Sequence, residues 1–191
     1  MNESLIKKAI TSAIQILRYS GIILYPTDTI WGIGCDATND TSVKKIYALK
    51  KREEKKSMII LVSDEDMIHQ YVSKPSKKIL EYLALQITPT TAIFTNAINL
   101  PPGLINEDGS IAIRIVQDEF CRKLIQELQR PIVSTSANIS GEKYPQNFPE
   151  ISEEIKNGVD FIVKHRQNDL IKSAPSSIIK LDENGRIIHL R

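Results

Sequence analysis

The alternation of two hydrophobic patterns limits the fold of this chain more than any other feature. Residues 6–17 place apolar side chains at every third or fourth position, and Gly21 follows where a helix end favours a left-handed residue. Residues 22–25 form a continuous apolar run that ends at Pro26, which is typical of a buried strand. Because such segments keep alternating, we predict an α/β fold built on a mixed, largely covered sheet.

Capping residues and prolines set the bounds of the other predicted elements. Asp40 or Thr41 is placed to cap the second helix, and residues 27–38 are expected to form a loop. Pro75 interrupts a long helical segment. The remaining predictions are helices at 40–49, 64–85 and 118–129 and one that starts at Pro149 near Ile155, and strands at 58–62, 91–95, 110–116, 131–136, 160–163, 177–181 and 187–190.

Length and charge restrict the organisation and the partners. At roughly 150 residues per domain, the 191 residues predict one domain over residues 1–191. The chain carries 25 Lys and Arg against 23 Asp and Glu, so it does not resemble a protein that coats a polyanion. Residues 44–56 nevertheless hold seven cations and two anions. One local anion site explains this distribution better than a general affinity for nucleic acid.

Neither a membrane segment nor a structural metal is predicted. Cys35 and Cys121 are far apart in the chain, and the three histidines show no metal-ligand spacing. The amino-terminal residues lack the apolar core of a signal peptide, and the longest uncharged run, 82–106, contains three prolines. We therefore expect a cytoplasmic protein without membrane association and without metal ligands among its side chains.

Gly32 to Ala37 match the G-x-G-x-x-A pattern of dinucleotide-binding folds. The context does not fit, because several residues separate the predicted strand from Gly32 and the next helix starts too late. We expect Gly32 and Gly34 to allow tight backbone turns that line a pocket instead.

Lys50, Lys51 and Arg52 follow the predicted second helix. One interpretation is a solvated helix end, where cations complement the helix dipole. The other is a phosphate or carboxylate site, for which Arg supplies a planar fork and Lys a mobile point charge. Because residues i and i+2 share a face only in extended chain, Lys50 and Arg52 can hold one anion only if the helix has ended.

Two further segments place polar groups in buried surroundings. Ser134 and Ser136 share one face at the end of a predicted strand and Asn138 follows, which suits either a polar ligand or an ordinary Ser/Asn turn. Arg114 interrupts an apolar strand, so it requires an anionic partner, either a structural carboxylate or a bound anion. With no nucleophile–base pair and no P-loop in the chain, the residues predict an anion-binding, hydroxyl-lined pocket and no particular reaction.

Four segments, in this order, resemble the YrdC family of L-threonylcarbamoyladenylate synthases. They are 25–37 (YPTDTIWGIGCDA), 50–52 (KKR), 111–114 (IAIR) and 134–141 (STSANISG), and residues 175–179 and 190–191 resemble the family's last strands. The resemblance implies a twisted mixed sheet with helices packed on it and a concave cationic cavity. It also implies a nucleotidyltransferase that condenses ATP, L-threonine and bicarbonate into L-threonylcarbamoyl-AMP, with release of pyrophosphate, for N6-threonylcarbamoyladenosine formation on tRNA.

The same resemblance implies roles for ten residues. The ATP site would comprise Lys50, Arg52, Thr91, Ser134, Ser136, Asn138 and Arg191, and the threonine site would comprise Thr29, Arg114 and Ser176. No protein nucleophile is implied, because positioning and charge neutralisation suffice for attack on a phosphate. Mg²⁺ is expected to arrive with the ATP, and separate transferase proteins are expected to pass the product to tRNA.

The chain departs from the family's pattern in three places. Residues 87–91 read ITPTT where the family has Pro-Gly-Pro-x-Thr, Val116 replaces a usual proline, and Trp31 replaces a usual tyrosine. These changes affect the expected shape of the pocket more than its charge. Two alternatives stay open: an RNA-binding module that uses the cations of residues 44–56, and a sibling enzyme for another nucleotide or acyl substrate.

Overall fold

The computed structural model of the chain describes residues 3–54, 58–172 and 174–191. Within these residues, no helix is both long enough and apolar enough to cross a bilayer. The helices are α1 (Glu3–Arg18), α2 (Asp40–Leu49), α3 (Glu65–Tyr71), α4 (Lys77–Ala84), α5 (Glu119–Leu128) and α6 (Glu153–Gly158). The strands are β1 (Ile23–Tyr25), β2 (Gly32–Gly34), β3 (Ile59–Val62), β4 (Thr90–Phe94), β5 (Ile111–Ile115), β6 (Ile132–Ser136), β7 (Phe161–Ile162), β8 (Ser177–Leu181) and β9 (Ile187–His189).

These nine described strands form one sheet in the order β7-β1-β2-β6-β3-β5-β4-β8-β9. Three neighbouring pairs are parallel, namely β1 with β7, β3 with β5 and β4 with β8, and the other pairs are antiparallel. The mixed sheet confirms the predicted α/β fold. The connection from β7 at one edge to β8 near the other edge spans nearly the whole sheet, and its described residues are 163–172 and 174–176.

Strand β2 lies where the sequence predicted a loop, and that prediction was wrong. Two of its three residues are glycine, which strands disfavour, yet it pairs with β1 on one side and β6 on the other. Neither Gly32 nor Gly34 has a positive φ, so the expected tight turns are absent at these two residues. A Cβ on Gly34 would lie 2.6 Å from the Tyr25 ring and 2.6 Å from the Val133 carbonyl oxygen. The close approach of neighbouring strands therefore requires this glycine.

The end of α1 also differs from the prediction. Ser20, rather than Gly21, adopts the left-handed conformation, with a φ of 60°. Gly21 donates its N–H to the Ile16 carbonyl at 2.9 Å, and a Cβ there would lie 2.4 Å from the Ile16 side chain. The glycine lets the chain turn back tightly against the helix that it has just left.

Two helices begin away from their predicted starts. Asn39 caps α2 through its side chain, where Asp40 or Thr41 was predicted to do so. Pro149 lies in a short 3₁₀ turn, and α6 begins only after its cap residue, Ser152. In both cases the helix is present and only its start shifts.

The two faces of the sheet carry different side chains. On one face, a fully buried cross-strand row consists of Ile60, Ile113, Ala92 and Ile179. Helices α3 and α4 contact β3 and β4 respectively. Because side chains alternate along each strand, the opposite face presents the intervening residues, several of which are small or polar. That second face holds the candidate site.

We expect the Gly34→Ala protein to lose about 2 kcal/mol or more of unfolding free energy, because its new methyl group meets backbone and a buried ring. Urea denaturation followed by circular dichroism measures the loss. Gly103→Ala is the control, since the nearest atom to its added Cβ would be 3.7 Å away. Its change should stay below about 1 kcal/mol. Equal losses in the two variants would contradict the close-approach explanation.

Candidate functional site

A cavity of about 460 Å³ opens on the second face of the sheet. This volume lies within the range of small-molecule sites in proteins. Seven of the ten predicted site residues line it: Thr29, Arg52, Arg114, Ser134, Ser136, Ser176 and Arg191. These residues come from segments spread over most of the chain, so the sheet brings together what the sequence separates.

Small side chains on neighbouring strands create the hollow. Gly32 of β2 lies opposite Ser136 of β6, and Ser134 of β6 lies opposite Ile59 of β3. Ala112 of β5 adds a further short side chain to the lining. Paired residues point to the same face, so this succession of short side chains leaves room that larger ones would fill.

The charge of the cavity wall comes from arginines. Arg52, Arg114 and Arg191 line the cavity, and its lining includes no carboxylate side chain among the described residues. The hydroxyls of Ser134, Ser136 and other lining residues add neutral hydrogen-bonding groups. Such a wall favours a polar ligand that carries negative charge.

Arg114 is almost fully buried, with 3% of its surface exposed. Its Nη2 atom lies 3.0 Å from the Asp28 Oδ1 atom, and both side chains are buried. The two groups form an ion pair but no well-aligned hydrogen bond: Nε and Nη2 of Arg114 and Oδ1 of Asp28 all lack a hydrogen-bond partner among the described residues. Asp28 thus supplies countercharge to Arg114, which also contributes to the lining of the cavity.

The hydroxyls near Arg114 are held in a network. Thr91 and Ser176 share a hydrogen bond of 2.7 Å between their Oγ atoms, and Arg191 donates from Nε to the Ser176 carbonyl at 3.0 Å. Thr91 is fully buried and stands behind Ser176 rather than in the lining. The structure therefore brings these three predicted residues together and gives two of them access to the cavity.

The loop between β1 and β2 presents Thr29. The Thr29 N–H donates to the Thr27 Oγ1 atom at 3.0 Å, and the two hydroxyls lie 2.9 Å apart. Arg166, in the segment that crosses the sheet, donates from Nη1 to the Thr27 carbonyl at 2.9 Å. These bonds support the loop from both sides, so Thr29 meets the cavity from a fixed position.

Helix α2 ends at Leu49, but the chain after it is not extended, because Lys50 keeps right-handed helical angles and Lys51 has a φ of 50°. The side chains of Lys50 and Arg52 therefore diverge. Arg52 lines the cavity. Lys50 is 1% exposed and lies outside the lining, with its Nζ atom donating to the Ser136 and Asn138 carbonyls. Burial, with the Arg52 charge next in importance, lowers the pKa of Lys50 to about 8.

Asn138 also lies outside the lining of the cavity. Its side-chain amide donates to the Ile139 and Glu142 carbonyls at 2.8 and 2.9 Å. The Oδ1 atom is buried and has no partner among the described residues. Asn138 therefore orders the turn after β6, and its predicted contact with a nucleotide stays a prediction.

The cations of residues 44–56 are interspersed with carboxylates. Lys44 pairs with Asp40 at 2.7 Å, and Lys51 pairs with Glu154 at 2.8 Å. Lys55 and Lys56, which belong to the same predicted cluster, lie outside the described residues. The ion pairs in the described part of this surface weaken its attraction for a polyanion.

Sequence reasoning missed part of the lining and the partner of Arg114. Met58, Ile59 and Tyr144 line the cavity, but the sequence gives no signal that separates an apolar or aromatic residue in a cavity wall from one in a core. A signal for Asp28 was available, because it is a carboxylate within the 25–37 segment and Arg114 required an anion. The pairing itself follows only from the fold.

The sheet and its arginine-lined cavity define an α/β protein suited to a small anionic ligand. Residues 15–191 match the model of the Sua5/YciO/YrdC family, whose description is "Telomere recombination". The chain belongs to this family, which confirms the resemblance seen in the sequence.

One relative and two solved structures are similar over nearly the whole chain. A protein named threonylcarbamoyl-AMP synthase from Pseudoalteromonas translucida (strain TAC 125) is 28% identical over 184 residues, which cover 95% of this chain and 97% of that protein. A double variant of Sua5 from P. abyssi matches with a TM-score of 0.85 and 24% identity over 97% of this chain. P. abyssi Sua5 complexed with L-threonine matches with a TM-score of 0.82 and 22% identity over 97% of this chain. The present chain covers 56% and 54% of those two Sua5 chains, and at these identities they show the fold.

We expect the Lys50 ammonium to titrate near pH 8 in NMR spectra that follow its side-chain methylene group, because burial lowers its pKa. Lys44 is the control, since its exposed pair with Asp40 raises its pKa above the ordinary 10.5. Between pH 8 and 10.5 the folded chain then binds fewer protons at Lys50 than the unfolded chain, so this group's contribution to stability rises with pH across that window. A shared midpoint above 10.5 would contradict the burial of Lys50.

Proposed function

We propose that this protein synthesises L-threonylcarbamoyl-AMP from L-threonine, bicarbonate and ATP, with release of pyrophosphate. The observation that carries the proposal is the cavity wall, which combines the cations of Arg52, Arg114 and Arg191 with serine and threonine hydroxyls and includes no carboxylate side chain among the described residues. Membership in the Sua5/YciO/YrdC family and the similarity to a protein named threonylcarbamoyl-AMP synthase support the same reaction.

The proposed chemistry needs no nucleophile from the protein. The threonine amine attacks bicarbonate to give a carbamate, with loss of water. A carbamate oxygen then attacks the α-phosphorus of ATP, the bond to the bridging oxygen breaks, and pyrophosphate leaves with that electron pair. Such a displacement requires aligned reactants and neutralised phosphate charge, which fixed arginines and hydroxyls supply.

The residues divide the cavity into two proposed ends. At one end, Arg114 and the Ser176 hydroxyl receive the threonine carboxylate, with Thr29 nearby on the loop between β1 and β2. At the other end, Arg52 faces the phosphates, and the hydroxyls that end β6 line the wall of the adenylate site. Arg191 donates its Nε–H to the Ser176 carbonyl, and its remaining donors are proposed to contact ATP.

We propose that Mg²⁺ binds together with ATP. Among the described residues, no group of three or more His, Cys, Asp or Glu side chains is placed to hold a metal ion. The cavity wall offers hydroxyl oxygens, so the ion would take most of its ligands from phosphate oxygens and water. Bound in that way, it would neutralise the phosphate charge together with Arg52.

The proposed product is a mixed anhydride, which must reach an acceptor before water hydrolyses it. We propose that separate transferase proteins accept it and modify tRNA, in the cytoplasm. The ion pairs of Lys44 and Lys51 favour this division over direct RNA binding, because they reduce the positive charge of the surface around residues 44–54.

We expect Arg52→Ala to lower kcat/KM for ATP roughly ten- to hundredfold, because losing a charge-assisted bond is worth about 1.5–3 kcal/mol. Pyrophosphate release with ATP, Mg²⁺, bicarbonate and threonine measures the rate. Lys51→Ala is the matched control, since its side chain is exposed and pairs with Glu154 on the surface. Its rate should stay within about twofold of the wild type.

The same assay tests the reaction as a whole. Pyrophosphate release must depend on both threonine and bicarbonate. Release that is equally fast without threonine would reject the synthase, and strict dependence on another amino or acyl compound would identify a sibling enzyme. An unchanged rate in Arg52→Ala would remove Arg52 from the phosphate site.

We expect Ser176→Ala to raise KM for threonine about two- to tenfold and to leave KM for ATP unchanged, because one neutral hydrogen bond contributes about 0.5–1.5 kcal/mol. Ser177→Ala is the control, since its hydroxyl donates to Thr90 at 3.1 Å and does not line the cavity. A larger effect of Ser176→Ala on ATP than on threonine would show that Ser176 belongs to the other end.

A further inference from the structure

Lys50 joins two segments that border the cavity. Its ammonium donates to the Asn138 carbonyl at 2.5 Å and to the Ser136 carbonyl, and its own carbonyl accepts the Ser140 N–H at 2.8 Å. The residue is among the largest fully buried side chains of the described chain. One residue thus holds the turn after β6 through both its side chain and its backbone.

The turn after β6 brings the carbonyl oxygens of Ser136 and Asn138 close to the same ammonium group. The Asn138 N–H donates to the Ser136 carbonyl at 2.9 Å, and the carbonyls of both residues are within reach of one ammonium. Neighbouring carbonyl oxygens repel each other unless a cation or donor lies between them, and a charged donor makes the stronger bonds. The Lys50 ammonium satisfies both oxygens and so supports the backbone from which the Ser136 side chain lines the cavity.

A direct phosphate contact would require Lys50 to give up these bonds. Moving the ammonium into the cavity would take it away from the Ser136 and Asn138 carbonyls, and a buried acceptor that loses its donor is unfavourable. Arg52, two residues further along, already lines the cavity. The two cations therefore occupy different places and suit different tasks.

We propose that Lys50 is a positioning residue, which holds the segment from Ser136 to Asn138 in its ligand-binding conformation and does not itself contact the phosphates. The proposal rests on the proposed function, in which Ser136 lines the adenylate site and Arg52 faces the phosphates. It predicts that Lys50 and Ser136 act as one unit, whereas Arg52 acts separately.

The first test separates the two roles by ligand. Calorimetry measures the affinity of the wild type, Lys50→Met and Arg52→Met for ATP with Mg²⁺ and for inorganic triphosphate, which carries the phosphates alone. In Lys50→Met, ATP affinity should fall about tenfold and triphosphate affinity by less than about threefold, while Arg52→Met should lose about tenfold for both. Equal losses of triphosphate affinity in the two variants would overturn the proposal.

The second test is a double-mutant cycle on kcat/KM for ATP. If Lys50 acts through Ser136, then Lys50→Met combined with Ser136→Ala should be no more than about twofold worse than the more impaired single variant. Lys50→Met combined with Arg52→Met should instead give approximately the product of the two single losses. Independent effects of Lys50 and Ser136 would overturn the proposal.

Amide hydrogen exchange supplies a readout that needs neither ATP binding nor activity. In Lys50→Met, the Asn138 and Ser140 amides should exchange at least about tenfold faster than in the wild type, while the Cys121 amide, which the Asp118 side chain caps at 2.8 Å, should not change. Unchanged exchange in the turn would overturn the proposal. If the wild type binds no ATP, the proposed function fails, and the exchange result still decides whether Lys50 holds the turn.

Lys50→Arg serves where Lys50→Met does not fold. It keeps the charge and the donors, so a positioning role predicts partial recovery of ATP affinity with the turn amides protected again. The proposal would be overturned if Lys50→Arg bound both ATP and triphosphate as tightly as the wild type while its turn amides stayed unprotected.

Discussion

A guanidinium buried inside a β-sheet must be neutralised, and the way in which Arg114 is neutralised determines much of this structure. Strand β5 lies between β3 and β4, so Arg114 cannot turn to solvent at a sheet edge. Removing an isolated charge from water is unfavourable by several kcal/mol. Asp28 offsets part of this from 3.0 Å away, yet two nitrogens of the guanidinium find no hydrogen-bond acceptor in the described part of the chain. The proposed anionic ligand would add negative charge from the cavity that Arg114 helps to line.

The cavity depends on small residues in the neighbouring strands. Gly34 allows β1, β2 and β6 to approach more closely than a Cβ would permit. Gly32 and Ala112 line the cavity with little or no side chain, so they leave its space open. The absence of larger side chains at these positions is therefore as important for the cavity as the groups that line it. Larger side chains at Gly32 and Ala112 would fill the space in front of Arg114 while leaving the core on the other face unchanged.

Most of the fold could be predicted from the sequence because its helices and longer strands carry strong local signals. Periodic apolar residues identified α1, and Pro75 separated α3 from α4 as expected. Strand β2 was missed because its signal is not local: two glycines are unfavourable in a strand until flanking strands hold them there. Seven of the ten site residues, which the family resemblance had singled out, line the cavity. The direction of the Lys50 side chain was not predictable, because it depends on carbonyls 86 and 88 residues away along the chain.

The long connection from β7 to β8, described at residues 163–172 and 174–176, makes assembly of the site depend on the whole sheet. The lining extends from Thr29 on the first loop to Arg191 beyond β9, and Arg166 ties the crossing segment to Thr27. Contacts between residues so distant in sequence form late, because the entropy of closing long loops must be overcome first. The local helices can therefore form before there is a place for a ligand, and any ligand that fills the finished cavity stabilises only the fully paired sheet.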